Sequence, residues 1–283
     1  MTINTAIDES LFAFGLDGSK YWSSNGLADF KILAQAQNPT VRFLAFRAVI
    51  SWGYIDSFFA YHWKETKRIY EYRKAFITGA PDDFYLPVGC CAYGVIYPGE
   101  NAKRQAENLL KAVEDTGDVD WTHDRLVIDL ELHHNQSPQR ITETTNLYGE
   151  TLKKETGRLP MLYTRYFWSR DHTIYDQLLD FDWWYAQYLR DIPGIRYRKE
   201  YPPPPKPTHP KGWKVHQNSK RGRPQPYGVI GKSVVDYDRW NGGKESVFEY
   251  FSFEKESAQP TMTVKERLDD HEKRIKLLEE SCM

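Results

Sequence analysis

The order of apolar runs predicts an α/β fold, a parallel sheet or barrel whose second half is poorer in helices, followed by a helical appendage. Three observations carry this. Short apolar runs alternate with amphipathic stretches from about residue 12 to 240, the signature of strand–helix units. Fewer stretches of helical spacing fall in the second half. A heptad pattern closes the chain after the linker-like segment Ser257 to Pro260.

The first strand is Phe12 to Leu16, ended by Asp17-Gly18-Ser19, and the second is Val41 to Ile50. His62 to Ala75 has helical spacing. Leu86 to Val95 is a third strand, and Asn101 to Glu114 a helix of good formers with Leu109, Leu110 and Val113 on one face. Leu126 to Leu132 forms a fourth strand, and Thr142 to Glu155 a helix stopped by Gly157. Pro160 to Thr164, Asp182 to Tyr188, Trp213 to Gln217 and Val234 to Tyr237 complete the strands. Between the strands ending at Tyr188 and beginning at Trp213 lies a proline-rich insertion at about 192–212, with Pro202-Pro203-Pro204-Pro205, Pro207 and Pro210. These residues suit neither helix nor central strand, so a polyproline surface excursion is expected. Val264, Leu268, His271, Ile275, Leu278 and Cys282 recur in alternating steps of four and three among charged residues. That is a coiled-coil seam over 261–282, expected to join copies of the chain; the competing reading is one amphipathic helix docked on the body.

Of the 283 residues 15% are aromatic, including 9 Trp and 19 Tyr. Such a surplus suits a sugar cleft as well as a core, because pyranose rings offer C–H faces to π-surfaces. The formal net charge of -1 argues against a nucleic-acid partner, which calls for a clustered basic face. Cys90 and Cys91 are adjacent and Cys282 is distant; reduced, buried thiols are expected, with no metal spacing. Met1 to Ser10 lacks a basic, then apolar, leader pattern, so no signal peptide is expected. No apolar run approaches ~18 residues, so no membrane span is expected.

The chemistry points to Val127-Ile128-Asp129-Leu130-Glu131. Strand side chains alternate, so Val127, Asp129 and Glu131 share one face and Ile128, Leu130 and Leu132 the other. Two carboxyls within ~7 Å in a partly dry place repel each other, which raises at least one pKa. A carboxyl still protonated near neutral pH can protonate a glycosidic oxygen. The segment sits at a strand's C-terminal end, where barrels place their chemistry. From spacing alone, solvated strand-end acids or acids tied to Arg are an equal reading. His133 and His134 point apart, so a metal centre is not expected, nor any cofactor.

The whole chain, from about Phe14 to Trp240, resembles glycoside hydrolase family 25, the muramidases of bacterial and phage wall-lytic enzymes. Gly15 to Ser19 is similar to the family's first strand end, with Asp17 at its acid. Phe43 to Ala48 with Gly53, Tyr54 and Asp56 resembles its second strand and the segment after it. Tyr93 to Tyr97 and the Gln105-Ala106 pair match more loosely. Val127 to Glu131 resembles Leu-Asp-x-Glu; Met161 to Thr164 and Trp184 to Tyr188 match two further strands. Trp213 to Ser219, then Gly228 to Asp236, resemble the last two. Departures are Arg47 for a Lys, Gly94 for a His and His216 for a Trp.

The resemblance implies an irregular TIM-like (β/α) barrel over residues 1–256, with residues 257–283 as linker and coiled coil. It implies an N-acetylmuramidase that cleaves the β-1,4 bond between N-acetylmuramic acid and N-acetylglucosamine in peptidoglycan. Glu131 would be the general acid. Asp129 would stabilise positive charge or orient the 2-acetamido group. Asp17 and Asp236 would flank the cleft, with Asp182 the alternative fourth acid. Tyr93, Tyr163, Trp184, Tyr188 and Gln217 would bind substrate; of Trp183 and Trp184 only the second is expected to face inward. A wall-binding or virion module that keeps the fold without catalysis is the alternative function. Endolysin-like storage in the cytoplasm and carriage on a virion both fit the expected absence of a leader.

Overall fold

The computed structural model describes residues 11–80, 82–188 and 212–253. The expected coiled coil at 261–282, the expected linker before it and nearly all of the proline-rich insertion lie outside these residues.

Among the described residues nine strands and seven α-helices build the fold. In chain order they are β1 Phe14–Gly18, α1 Phe30–Ala34, β2 Val41–Ile50, β3 Tyr54–Ile55, α2 Phe59–Lys67, α3 Ile69–Phe76, β4 Gly89–Val95, α4 Ala102–Glu114, β5 Arg125–Asp129, α5 Pro138–Thr156, β6 Met161–Arg165, α6 Tyr166–His172, β7 Asp182–Ala186, β8 Val215–Gly222, β9 Val235–Trp240 and α7 Lys244–Tyr250. The expected strands are present with ends shifted by a few residues. The expected helix at 62–75 is two helices meeting at Arg68, while α1, α6 and α7 had no strong periodicity to announce them.

Eight strands close a barrel in the order β1-β2-β4-β5-β6-β7-β8-β9, with β3 a short antiparallel addition to β2. Neighbours are parallel from β1 to β8, whereas β9 is antiparallel to both β8 and β1. The connection explains the reversal. A parallel crossover needs a dozen or more residues, usually with a helix. Between β8 and β9 the chain carries only the single 3-10 turn Gln225–Tyr227. The barrel is therefore TIM-like and irregular in its second half, as expected.

The helices form by familiar rules. Asn101 caps α4 through its side chain on the Arg104 amide at 3.0 Å, and Ala102, Ala106, Leu109, Leu110 and Val113 bury one face. Ser137 caps α5, Pro138 stands in its first turn, and Gly157 ends it at φ 75°. Gln105 reaches back from α4 to the amide of Tyr97 at 2.8 Å and its carbonyl at 3.1 Å, pinning the loop that leaves β4.

Alternation along the strands separates two cores. Leu16, Leu44, Phe46, Ala92, Ile128, Leu162 and Trp183 pack outward against the helices. Ala13, Phe43, Ala45, Cys91, Val127, Met161, Trp184, Val215 and Trp240 point into the barrel, where Val247 and Phe251 of the α7 region plug one end. Two glycines make room for that filling. A Cβ on Gly15 would lie 2.3 Å from the Phe43 ring, and one on Gly89 2.5 Å from Phe251. Cys90 and Cys91 are free and buried on opposite sides of β4. Burial pushes both thiols up, so they stay protonated. Among the described residues no helix is long and apolar enough to cross a membrane.

Candidate active site

The open end of the barrel holds a cleft of about 210 Å³ lined by Asp17, Tyr93, Val127, Asp129, Glu131, Tyr163, Trp184, Tyr188, Gln217, Lys220 and Asp236. All nine residues singled out from the sequence are among them. The parallel strands deliver Asp17, Tyr93 and Asp129 there at or near their C-terminal ends, Tyr163 from the middle of β6 and Gln217 from the first half of the longer β8. Asp236 arrives by the opposite route. Because β9 is reversed, its second residue lies at the same mouth, opposite Asp17 in the β1–β9 register.

Asp129 is the last residue of β5, yet extended pairing continues past it. The Leu130 amide donates to the Tyr163 carbonyl at 2.9 Å. That keeps Glu131 in phase with Asp129, so both carboxyls face the cleft while Ile128 and Leu130 are fully buried outside the barrel wall. Trp183 and Trp184 divide as parity demands. Trp183 stacks between Tyr175 and Tyr185 in the outer layer, each at 5.1 Å, whereas Trp184 lines the cleft floor. Asp182, the alternative fourth acid, lies in the other half of the interior. It pairs with Met161 on β6 and adjoins Tyr250 of α7. Register rather than parity places it two residues too early to reach the mouth.

A hydrogen-bond network fixes the cleft wall. Gln217 accepts from the hydroxyls of Tyr163 at 3.0 Å and Tyr188 at 2.6 Å, and its amide nitrogen donates to Asp17. Two phenols on its oxygen leave the amide one orientation. Below, Trp184 Nε1 donates to Asp238 Oδ1 at 3.0 Å. Asp238 is wholly buried, and its second oxygen has no donor among the described residues. Burial, then the charge of Asp17, raises its carboxyl well above its ordinary range. Asp238 is the acid that reading the sequence missed. The signal was present, since Asp236 and Asp238 stand two apart on one strand, like Asp129 and Glu131.

Charge in this cleft is expensive. Burial raises the Asp129 carboxyl well above its ordinary range, with Glu131 and Asp17 adding to the effect. Asp129 Oδ1 is buried with no hydrogen-bond partner among the described residues. Burial also raises Glu131, against the opposing pull of Arg165, whose Nε lies 2.9 Å from Glu131 Oε1. Burial, then the charge of Asp17, pushes Asp236 up to about 7, although Lys232 and Lys220 work against it. Such a cluster holds protons near neutral pH and can transfer one.

The histidines after the acid pair diverge. His133 stacks on His172 at 5.1 Å, and the His134 ring lies tilted against Tyr97 at 4.3 Å. Among the described residues no group of three His, Cys, Asp or Glu is arranged to hold a metal ion. His216, at the position where the resemblance has Trp, points out of the barrel; it accepts from Arg239 at 3.0 Å and meets the Gln187 carbonyl at 2.7 Å.

Comparison with known proteins agrees with this architecture. The fold matches the bacterial lysozyme of Streptomyces coelicolor at 17% identity and TM-score 0.60, over 83% of this chain and 94% of that one. It matches the Clostridium perfringens spore cortex lytic enzyme SleM at 22% identity and TM-score 0.60, over 83% and 69%. The catalytic domain of endolysin ply40 from bacteriophage P40 of Listeria monocytogenes matches at 17% identity and TM-score 0.55, over 85% and 97%. At these identities the likeness establishes the fold. No curated protein sequence matches the chain. Residues 87–225 match the family model described as Glycosyl hydrolases family 25, a span that contains Asp129 and Glu131 but neither Asp17 nor Asp236. Through that segment, from β4 to just past β8, the chain is similar to glycosyl hydrolase family 25.

Proposed function

We propose that the chain is a muramidase that hydrolyses the β-1,4 bond between N-acetylmuramic acid and N-acetylglucosamine in peptidoglycan. One observation carries this reading: Asp129 and Glu131 share a face at the end of β5 and open on a single cleft whose floor is closed by Trp184. The match of residues 87–225 to the family model supports it, as do the fold's likenesses to a lysozyme, a spore cortex lytic enzyme and an endolysin.

Glu131 is the proton donor. Asp129 Oδ1 has no donor among the described residues, and the N–H of a 2-acetamido group supplies one. That hydrogen bond favours the Asp129 anion and leaves the pair's proton on Glu131. It also holds the acetamido oxygen under the anomeric carbon. Glu131 gives its proton to the glycosidic oxygen as the C–O bond breaks, and the acetamido oxygen closes on the anomeric carbon. Water then opens that ring while Glu131 takes the proton back. The Tyr163, Tyr188 and Gln217 network presents Asp17 at a fixed angle to sugar hydroxyls, and Trp184 offers its ring to a sugar face. The barrel is proposed to be the catalytic domain, over 1–256. The heptad stretch 261–282 is proposed to join copies of the chain.

The test is a lysis assay on purified peptidoglycan, wild type beside Glu131→Gln, with the new reducing-end sugar identified. Wild-type turnover ending in N-acetylmuramic acid, lost by at least about 100-fold in the variant, is expected. Tight binding of muropeptides without turnover would sink the catalytic reading. A reducing-end N-acetylglucosamine from neutral oligomers alone would replace the substrate.

A further inference from the structure

On the β1–β2 side the mouth carries a raised rim of cations set on tyrosine rings. Lys20 Nζ stands 5.6 Å from the centre of the Tyr21 ring and 5.3 Å from that of Tyr54. The Arg47 guanidinium stands 5.8 Å from Tyr21 and 6.0 Å from Tyr54. Lys232, from the loop before β9, places its Nζ 5.5 Å from Tyr21. All lie within reach of a cation–π attraction.

The rim is held in place. Asp56, 2% exposed, binds the Lys20 amide at 3.0 Å and the Arg47 guanidinium at 3.1 and 3.0 Å. One buried carboxylate thereby fastens the loop after β1 to β2. It also neutralises Arg47, so the remaining charge belongs to the two lysines. Neither Lys20 nor Lys232 makes an ion pair among the described residues. Lys232 is close enough to the cleft acids to oppose the rise of both Asp17 and Asp236. The rim adjoins the acidic floor in the fold as well, since Lys20 follows Asp17 just past the end of β1 and Arg47 is the register partner of Tyr93, which lines the cleft.

That division has a consequence for a glycan with acidic arms. The floor, dense in carboxyls, repels an incoming carboxylate, and the rim attracts one. We propose that Lys20 and Lys232, seated on Tyr21 and Tyr54, receive the carboxylate-bearing arm on O3 of N-acetylmuramic acid and so select charged over neutral β-1,4 glycans. This rests on the muramidase reading. The shared chemistry is a carboxylate, carried either by the lactyl group or by the peptide stem attached to it. The rim makes muramic acid distinguishable from N-acetylglucosamine, which has no arm there.

The experiment is a binding titration in the Glu131→Gln background, which reads recognition without turnover. Three tetrasaccharide probes are compared: stem-bearing muropeptide, the same glycan stripped of stems to its lactyl carboxylates, and neutral N-acetylglucosamine oligomer. Adding Lys20→Gln and Lys232→Gln together is expected to cut the preference for acidic over neutral probe about tenfold, the scale of two exposed ion pairs. Lys20→Arg with Lys232→Arg should keep most of that preference, and salt should erode it in the lysine protein. A loss confined to the stem-bearing probe assigns the stem carboxylates, a loss confined to the stripped probe assigns the lactyl carboxylate, which is an amide wherever a stem is attached, and a loss on both shows that the rim receives whichever carboxylate the arm carries. An unchanged preference, or an equal loss on the neutral probe, overturns the proposal. A wild type that fails to cleave peptidoglycan overturns the muramidase reading instead, since the titration does not depend on turnover.

Discussion

The two ends of the barrel interior are built from opposite materials. At the plugged end Trp240 meets Phe43 at 5.4 Å, Tyr250 at 4.9 Å and Phe251 at 5.9 Å. Its polar groups are provided for. Trp240 Nε1 donates to Ser246 at 3.1 Å, and the Arg125 guanidinium is shared among the backbone carbonyls of Thr122, Asp124 and Tyr250. At the open end Asp17, Asp129, Glu131, Asp236 and Asp238 crowd together, and Asp129 and Asp238 each keep an oxygen without a donor among the described residues. An aromatic column from Tyr163 through Trp184 and Phe43 to Trp240 joins the ends. The difference separates stability from reactivity. One end contributes packing energy, and the other spends part of it to hold acids in protonation states that water would not permit.

Substitutions at each end should therefore fail differently. Glu131→Gln should lower kcat by about 10²–10⁴-fold and leave the unfolding midpoint almost unmoved. Trp240→Ala should cost about 3–5 kcal/mol in urea unfolding, because the plug cannot collapse around so large a void. At a temperature where Trp240→Ala remains folded, its activity should survive. Activity loss in the plug variant without loss of stability would erase the distinction.

How much of this contrast the sequence displays follows from what local pattern can and cannot encode. Parity is local, so the inward direction of Asp129, Glu131 and Trp184 was legible from alternation alone. Register is not. Asp182 and Trp184 share a face, yet two residues along β7 separate the plug from the cleft, and only the pairing of β6 with β7 fixes which is which. The reversal of β9 is likewise a tertiary fact, set by a connection too poor in helix for a crossover, and it is what brings Asp236 to the mouth. Asp238 was legible by the same spacing used for Asp129 and Glu131. The plug helix was not, since seven residues give too short a run to show a period. The rim of Lys20, Arg47 and Lys232 comes from three separate segments, so no local spacing could announce it.

Asp236 tests the contrast through pH. Its carboxyl is raised from the ordinary 3.8 to about 7, first by burial and then by Asp17. The folded state therefore holds a proton that the unfolded chain has already lost. The stabilising share of that proton is complete below about pH 4 and is lost as pH rises through 7. Asp236→Asn removes the penalty, so it should stabilise the protein by on the order of a few kcal/mol at pH 8 and much less at pH 4. Unfolding midpoints across that range measure the difference. A gain independent of pH would mean that the carboxyl is not charged against its surroundings at all.

The smallest effect compares one arginine at each end. Arg165 lies 2.9 Å from Glu131, but its side chain is 51% exposed and that of Glu131 32%, so water screens the pair. Its charge still opposes the rise that burial imposes on Glu131. Arg165→Ala leaves burial to act with less opposition, and the Glu131 carboxyl then keeps its proton to higher pH. The alkaline limb of kcat/KM should move upward by roughly half a pH unit, within the range expected of an exposed pair. Arg125 serves as the control. Its guanidinium is buried against backbone carbonyls at the plugged end, so Arg125→Ala leaves those carbonyls without a donor. It should lower the unfolding midpoint and leave the alkaline limb in place. An alkaline limb left in place by Arg165→Ala would show that Glu131 is not the group that supplies the proton.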